Sequence, residues 1–207
     1  MRIRRAKRFL PYLLIAVGAY FVFQGARIFF DSRRGQLTAK REFEHAPKPA
    51  PPSAKEPSTK RLPFQPRLGE TVAKLMIPRL GIQLYVVEGV DARELVRAPG
   101  HMPGTAMPGV TGNCVIAAHR DTHFRVLKDI RKGDDVILMT REGEYLYRVK
   151  STQIVSPKNL GPIQPTAGPV LNLITCYPFY YVGNAPKRFI VEAELAGSLD
   201  ASLIPRS

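Results

Sequence analysis

The sequence predicts an all-β domain, either a sandwich or a barrel, preceded by an N-terminal helix that spans a membrane. From about residue 70 onward, short apolar or alternating runs rich in Val, Ile, Tyr and Thr are separated by turn residues, a pattern typical of all-β folds. A long uncharged apolar run lies ahead of that region, and a proline-rich segment separates the two. The 207 residues therefore suit one folded domain with accessory segments.

The first 30 residues combine a basic tail with an apolar run. Residues 1–8 carry five Lys or Arg side chains, and the next 18 residues carry no charge. Taken to Phe30, the run 9–30 has 22 residues, about the length that crosses a bilayer as a helix. A cleaved signal peptide has a shorter apolar region before a small-residue cleavage site, so the pattern favours a membrane anchor. Basic residues flank it on both sides, and the positive-inside rule gives only a weak preference for its orientation.

Two segments connect this anchor to the domain. Residues 31–45 are rich in charge and predict a short helical stalk. Residues 46–66 contain seven prolines in 21 positions, which predicts an extended linker that forms no core. We expect the linker to hold the domain, residues 67–207, some tens of ångströms from the membrane.

The positive charge is concentrated in the N-terminal third. Residues 1–66 hold 14 Lys/Arg and 4 Asp/Glu, a net charge of +10, whereas residues 67–207 hold 17 and 13, a net charge of +4. A basic segment beside an apolar run indicates a membrane surface, whereas a nucleic-acid-binding domain is itself strongly basic. We therefore expect a membrane among the partners, and no nucleic acid.

Seven runs in the domain are predicted strands, with a hairpin turn at 141–145. They are AKLMIP (73–78), LYVVEGV (84–90), NCVIAAH (113–119), DDVILMT (134–140), YLYRVKSTQIV (145–155), VLNLIT (170–175) and RFIVEAEL (188–195). Two segments have helical character instead. One is 91–98, which Asp91 opens, and the other is 121–130, where apolar residues recur at helical spacing.

Cys176 is a candidate nucleophile. It follows the apolar run LNLIT and precedes Tyr177 and Pro178. Because proline does not continue a central strand, Cys176 is predicted at the carboxyl end of a strand, at a rim or the mouth of a cleft. The alternative is a small buried hydrophobe, which is common for free cysteines; Cys114, inside its own apolar run, fits that description.

His119 also ends an apolar run. A cysteine and a histidine at two strand ends, 57 positions apart, can meet in space as nucleophile and base, although sequence spacing does not prove it. His119 and His123 form an H-x-x-x-H pair that could bind a metal on a helix. The glutamate of H-E-x-x-H is replaced by Arg120, and no third ligand is evident, so we predict no metal site.

Arg188 opens the last predicted strand after a turn that contains Gly, Asn and Pro. Such an arginine is ordinarily solvated. Its functional interpretation is a fixed cation that stabilises a developing oxyanion. A return on an adjacent antiparallel strand would bring it beside Cys176, 12 positions earlier.

Three motifs resemble those of the sortase family, in the same order. They are GNCVIAAHRDTHF (112–124), LITCYPF (173–179) and APKRFIV (185–191). The resemblance extends over about residues 70–197, and the context of the cysteine is most similar to class D sortases. Two departures are small: Ala118 stands where the family has glycine, and Ile174 is inserted before Thr175.

The resemblance implies a closed eight-stranded β-barrel outside the cytoplasmic membrane, held by the single-pass anchor. It implies a cysteine transpeptidase that cleaves an LPxTG-like sorting signal of secreted proteins and joins the new carboxyl end to an amine of a cell-wall precursor or a pilin lysine. Cys176 is then the nucleophile, His119 the acid and base, and Arg188 the oxyanion stabiliser. Residues expected at the substrate are Thr175, Tyr177 and Ala118, with the Pro/Gly-rich segment 156–169 shaping the pocket. No cofactor is implied.

Two other functions fit the composition less well. An L,D-transpeptidase also uses a cysteine and a histidine, but it places a Ser-His-Gly type run before its cysteine, where this chain has Leu173, Ile174 and Thr175. A catalytically silent binding domain would have no reason to keep three reactive residues. For the enzyme we expect Cys114 and Cys176 to remain unpaired, because a disulfide would consume the nucleophile.

Overall fold

The computed structural model describes residues 2–45, 66–181 and 183–199. The predicted linker at 46–66 therefore lies, except for Pro66, outside the described residues. The chain begins with one helix and continues into a closed barrel of eight strands. In chain order the elements are α1 (Arg2–His45), β1 (Thr71–Ile77), β2 (Ile82–Glu88), α2 (Ala92–Arg97), β3 (Gly100–His101), β4 (Gly112–Ala117), β5 (Asp135–Met139), β6 (Glu144–Val155), β7 (Pro169–Tyr177) and β8 (Lys187–Leu199).

The barrel closes in the order β1-β2-β3-β4-β7-β8-β6-β5. Two of its pairings, β2–β3 and β4–β7, are parallel, and the other pairings are antiparallel. Closure removes the free edges that an open sheet would present. The all-β prediction and its barrel form are therefore confirmed.

The core follows from the alternation of side chains along the strands. Inward positions of β1, β4, β5, β7 and β8 are apolar and almost fully buried: Leu75, Ile77, Cys114, Ile116, Val136, Leu138, Leu171, Leu173, Val191 and Ala193. Each such aliphatic side chain contributes about 1.5–3 kcal/mol of transfer free energy when it is buried. The barrel interior is thus a packed core and holds no channel along this stretch.

Each of the seven predicted strands is present, with ends that differ by a few residues. The strand β3 was not predicted, because a pair of residues is too short to show any periodicity. The helix predicted at 91–98 is α2. The segment 121–130 forms turns and a 3-10 helix at Arg125–Asp129 instead of an α-helix; Phe124 and Leu127 are fully buried there, so the apolar spacing reflects burial.

Helix α1 has two dissimilar halves. From Tyr12 its most apolar 18-residue window has a mean hydropathy of 1.8 and none of that window is buried, so by length and composition the helix is able to cross a membrane. The second half instead packs on the barrel. Ala39 is buried against Tyr85 and Val87 of β2, and a Cβ on Gly35 would overlap the backbone of Arg97 in α2.

Hydrogen bonds join this second half to the strands. The Gln36 side chain donates to the Tyr85 carbonyl at 3.0 Å and accepts from the Tyr85 N–H at 2.8 Å, so it pairs with β2 much as a neighbouring strand would. The Thr71 hydroxyl donates to Glu42 at 3.0 Å. The expected stalk is therefore helical, and its residues 32–44 lie along the barrel wall.

Candidate active site

The parallel pairing of β4 with β7 places His119 beside Cys176. The register runs from Gly112 opposite Pro169 to Ala117 opposite Ile174. Two contacts continue it past the end of β4: the Ala118 N–H donates to the Ile174 carbonyl at 3.1 Å, and the Thr175 hydroxyl donates to the Ala118 carbonyl at 2.7 Å. One further step along each chain brings His119 level with Cys176.

The antiparallel pairing of β7 with β8 places Arg188 on the other side. Cys176 and Arg188 are direct Cα partners in this register. Since β4, β7 and β8 are consecutive in the barrel, the cysteine lies between the histidine and the arginine. The sequence-based expectation that a return strand would bring Arg188 to Cys176 matches this register.

The alternation of the strands puts these three residues on the same face. Inward-facing core positions are Ala118 on the β4 side, Leu171 and Leu173 on β7, and Val191 and Ala193 on β8. Counting by twos along each chain, His119, Cys176 and Arg188 fall on the opposite, outward face. All three are half-buried, which leaves each accessible to a substrate laid across the strand ends.

The groups are not yet joined by hydrogen bonds. Among the described residues, neither the Cys176 thiol nor the His119 ring makes one. The Arg188 guanidinium donates to the carbonyls of Ala185 and Lys187, at 3.3 and 3.0 Å, in the turn that precedes β8. Catalytic hydrogen bonds are often long in a substrate-free enzyme and tighten in its complexes, so the separation is compatible with catalysis. A thiol, an imidazole and a guanidinium in a row suit acyl transfer through a covalent intermediate.

The three residues expected at the substrate lie in different surroundings. Thr175 and Ala118 are 2% and 5% exposed and are bonded to each other beneath the outward face. Tyr177 is half-buried in a cluster of three rings, with Phe179 at 5.9 Å and Phe189 at 6.3 Å between centroids. Tyr177 is the member of this set with a surface that a ligand can reach.

His123 faces helix α1 rather than a metal. Its Nε2 lies 3.0 Å from the Ser32 hydroxyl, and no cluster of metal-ligating side chains occurs in the described part of the chain. Burial is the main cause that lowers the pKa of His123 to about 4; the interaction with His119 also lowers this pKa, whereas the Asp121 carboxylate opposes the shift. His123 is therefore neutral near pH 7.

Arg120 also lies at this site, although no role was predicted for it from the sequence. Its guanidinium donates to the carbonyls of Pro178, Tyr181 and Gly183 at 3.2, 2.8 and 3.0 Å, and it lies over the Tyr181 ring at 5.6 Å. It thus ties the loop that follows Cys176 to the loop that carries His119. Its position directly after His119 was the available signal, but its acceptors are backbone groups, which leave no mark in the sequence.

A second link between the same two loops is Tyr180. Its ring lies under Arg125 at 5.4 Å and Lys128 at 5.8 Å. Hydrogen bonds from these two cations lower the pKa of the exposed Tyr180 phenol. The two loops therefore meet along more than one contact.

The two cysteines are both free thiols. Cys114 pairs with Leu171, five positions before Cys176 on β7. Five residues of a strand extend about 16 Å, far more than a disulfide can bridge. Burial raises the pKa of the Cys114 thiol well above its ordinary value, which makes it unreactive.

Known proteins share both the sequence pattern and the fold. A family model for the sortase domain matches residues 75–196. Over 191 residues the chain is 34% identical to sortase D of Bacillus subtilis (strain 168), covering 89% of this chain and 96% of that relative. The chain belongs to the sortase family. Sortases are cysteine transpeptidases, so it is an enzyme of that class, and the resemblance predicted from the motifs is confirmed.

Solved structures agree with this membership. A Clostridium perfringens sortase D5 transpeptidase superposes with a TM-score of 0.64 at 23% identity, over 81% of this chain and 99% of that one, which is a likeness of fold. The catalytic domain of B. anthracis SrtD superposes with a TM-score of 0.57 at 33% identity, over 69% of this chain and 98% of that one. The sortase barrel is therefore the scaffold on which Cys176, His119 and Arg188 lie.

Proposed function

We propose that this sortase is anchored in the cytoplasmic membrane by residues 9–30. It cleaves an LPxTG-like sorting signal near the C-terminus of secreted proteins and transfers the new acyl group to an amine. The observation that carries the proposal is the register of β4, β7 and β8, which aligns His119, Cys176 and Arg188 on one face. The amine belongs to a cell-wall precursor or a pilin lysine, as the family resemblance implies.

The first half-reaction acylates the enzyme. The Cys176 thiolate attacks the carbonyl carbon of the threonine in the signal, since the thiolate is the nucleophilic form. Arg188 stabilises the tetrahedral oxyanion by charge and hydrogen bonds. His119, as imidazolium, gives its proton to the departing amine of the following residue, the C–N bond breaks, and a thioester on Cys176 remains.

The second half-reaction reverses these roles. The incoming amine attacks the thioester carbon, and His119 as neutral imidazole takes a proton from it. Arg188 again stabilises the oxyanion before the C–S bond breaks and the Cys176 thiolate returns. Because the first product leaves before the amine reacts, the kinetics are ping-pong.

The segments of the chain divide between anchoring and catalysis. Residues 1–8 form a basic cytoplasmic tail and residues 67–207 the catalytic domain outside the membrane, with 31–66 between them. Tyr177 and the first part of the segment 156–169 contribute to the pocket for the signal. The later part is held elsewhere, since the Asn113 side chain donates to the carbonyls of Pro162 and Gln164 at 2.9 Å, at the start of β4. Binding of nucleic acid and of a cofactor has no part in the proposal.

The test uses the full chain in detergent micelles with an LPxTG-type peptide and an excess of a small amine. We expect cleavage between threonine and glycine, an amide product with the amine, and a mass increase on Cys176 that an added thiol removes. Cys114→Ala serves as the matched control and should retain turnover. Binding of the peptide without cleavage, unchanged after alkylation of Cys176, would show a binding module and reject the proposal.

A further inference from the structure

Helix α1 is docked on the barrel in one direction. Near its membrane side, Ser32 contacts His123, four residues after His119. Further along, Gln36 pairs with Tyr85 in the middle of β2, and Glu42 accepts a hydrogen bond from Thr71 at the start of β1. The barrel end that carries the candidate catalytic residues therefore points toward the side from which the apolar half of α1 arrives.

A cleft opens beside this docked helix, between α1 and α2. Its volume is about 390 Å³, and it is lined by Asp31, Arg34, Gly35, Thr38, Arg93, Val96 and Arg97. Three of these side chains are arginines, and Asp31 is the one acid among them. In the described part of the chain no carboxylate lies within ion-pair distance of these arginines, of which Arg34 and Arg93 are exposed.

The height of the cleft along α1 matches the lipid headgroups. The uncharged run ends at Ala26, and after Arg27 the apolar residues Ile28, Phe29 and Phe30 stop directly before Asp31. Arg33 lies over the Phe29 ring at 4.7 Å. From Asp31 to Thr38 the helix rises about 10 Å. The polar headgroup layer adds about 5–8 Å on each side of the hydrocarbon core, so the cleft begins inside that layer and opens just above it.

The chemistry of the cleft selects an anion. A guanidinium binds a phosphate with two parallel hydrogen bonds, and several around one cavity suit a phosphodiester. α2 contributes two of the three arginines, Arg93 and Arg97, and the packing of Gly35 on Arg97 holds α2 against the anchor helix. The cleft exists because the helix is docked, and it is placed where lipid phosphates are concentrated.

We propose that the cleft between α1 and α2 binds the phosphate of an anionic membrane lipid. This contact fixes the docked barrel at the membrane surface with its catalytic end turned toward the bilayer. The inference rests on the anchoring in the proposed function, and it adds a ligand that the transfer reaction does not itself require. Cys176 would then lie close to a sorting signal or an acceptor that is still attached to the membrane.

The test is a calorimetric titration of the full chain in neutral detergent micelles. The probes are short-chain phosphatidylglycerol, short-chain phosphatidylcholine and inorganic phosphate. We expect phosphatidylglycerol to bind more tightly than the other two. Each Lys or Arg near an anionic surface contributes about 1 kcal/mol, so the double variant R93Q/R97Q should bind it about 30-fold more weakly.

Two controls decide the interpretation. R148Q/K150Q removes two cations elsewhere and should leave the affinity unchanged: Arg148 and Lys150 both lie on β6, across the barrel from β2. R93K/R97K, which keeps the charge but lacks the paired guanidinium donors, should bind the lipid more weakly than the wild type and more tightly than R93Q/R97Q. Equal binding of both lipids, or an equal loss in R148Q/K150Q, would overturn the proposal, and binding of inorganic phosphate as tight as that of the lipid would reject the lipid as ligand.

The same preparations are assayed with a soluble sorting peptide. R93Q/R97Q should cleave it at the wild-type rate, because the cleft lies outside the row of His119, Cys176 and Arg188. Circular dichroism establishes that the variants are folded. Absence of cleavage in all preparations, with lipid selectivity intact, would reject the proposed transfer reaction while leaving the lipid site standing.

Discussion

The two ends of the barrel are held by different kinds of polar contact. At the end away from Cys176, polar side chains are buried and bonded: Glu88 lies 2.6 Å from the His101 ring, and the Asn172 amide donates to Asn113 at 2.9 Å. At the catalytic end, Cys176 and His119 are half-buried and, in the part of the chain that the structure describes, make no hydrogen bond. The polar side chains at the first end thus serve stability, whereas the Cys176 thiol and the His119 ring remain available for a substrate.

The largest effect is expected at the catalytic end, for Cys176. Cys176→Ala removes the nucleophile, and turnover of a sorting peptide should be abolished, because the residual machinery has no atom that can form the thioester. The melting temperature should stay close to that of the wild type. Cys114→Ala, a cavity in the core, should show the opposite pattern, with turnover kept and stability reduced. Cleavage of a sorting peptide by Cys176→Ala, measured in quenched samples, would contradict the assignment of Cys176 as the nucleophile.

Arg188 comes next. If it stabilises the oxyanion, Arg188→Ala should lower kcat and kcat/KM together, by about 10²–10³. Arg188→Lys should fail nearly as badly, because lysine keeps the charge but lacks the planar fork of donors. Steady-state kinetics with a saturating amine measure this, and circular dichroism checks the fold. A raised KM with a near-normal kcat would instead make Arg188 a docking residue.

Arg120 should affect the same end more mildly. Arg120→Ala removes three hydrogen bonds to the carbonyls of Pro178, Tyr181 and Gly183 after β7. Displacement of these groups should lower kcat/KM on the order of 10-fold. The loss should arise mainly from a higher KM, with kcat little changed, because Cys176, His119 and Arg188 themselves remain. Arg125→Ala, which touches that loop only through the exposed Tyr180 ring, is the control and should lose about 2-fold to 5-fold. Equal losses in the two variants would mean that the clamp by Arg120 is not specific.

The opposite end should respond in stability alone. Asn113→Ala leaves the carbonyls of Pro162 and Gln164 and the amide of Asn172 without this partner, which should lower the free energy of unfolding by about 2 kcal/mol. The kcat per folded molecule should not change. Asn159→Ala, in the same segment but exposed, is the matched control and should cost less than about 1 kcal/mol. Chemical denaturation followed by far-UV circular dichroism measures both. A fall in kcat for folded Asn113→Ala would show that the two ends are coupled.

The smallest effect concerns pH and His123, which lies between α1 and the catalytic loop. Its pKa is lowered to about 4 by burial and by His119, so the unfolded chain binds a proton more readily than the folded one between the ordinary value near 6.5 and 4. Stability conferred by neutral His123 is present above pH 6.5 and is lost as the pH falls toward 4, by about 1 kcal/mol at pH 5.5.

His123→Gln should therefore lose less stability than the wild type between pH 7.5 and pH 5.5. The measurement is chemical denaturation of the full chain in detergent at the two pH values. Parallel changes in both proteins would assign the pH dependence to other groups.

The fold could be predicted because the alternation of each strand is visible within a short run of residues, and the three motifs occur along the chain in the family's order. Along β7, the alternation that buries Leu171 and Leu173 sets the outward position of Cys176, and the Pro178 that follows marks its end. What the sequence could not supply were contacts between distant backbone groups. The acceptors of Arg120 are carbonyls 58 to 63 positions away, and a carbonyl is the same on every residue.

The docking of α1 was hidden for a different reason. Residues 31–45 are charged, and a charged helix is ordinarily solvated. Their contact surface consists of few residues, Gly35, Gln36 and Ala39 among them, too few to produce an apolar stripe. A small residue that permits close approach and an amide that pairs with a strand leave almost no hydropathy signal.

The bond between Glu42 and Thr71 bears on the connecting segment in one more way. It fixes the distance between the described segments on either side of residues 46–65, so the length of that stretch does not decide how far the barrel lies from α1. For a flexible loop, doubling the length raises the closure entropy cost by only about 0.6 kcal/mol, whereas a tether would change its span with every residue. We therefore expect short insertions and deletions between His45 and Pro66 to leave the barrel docked on residues 32–44 of α1.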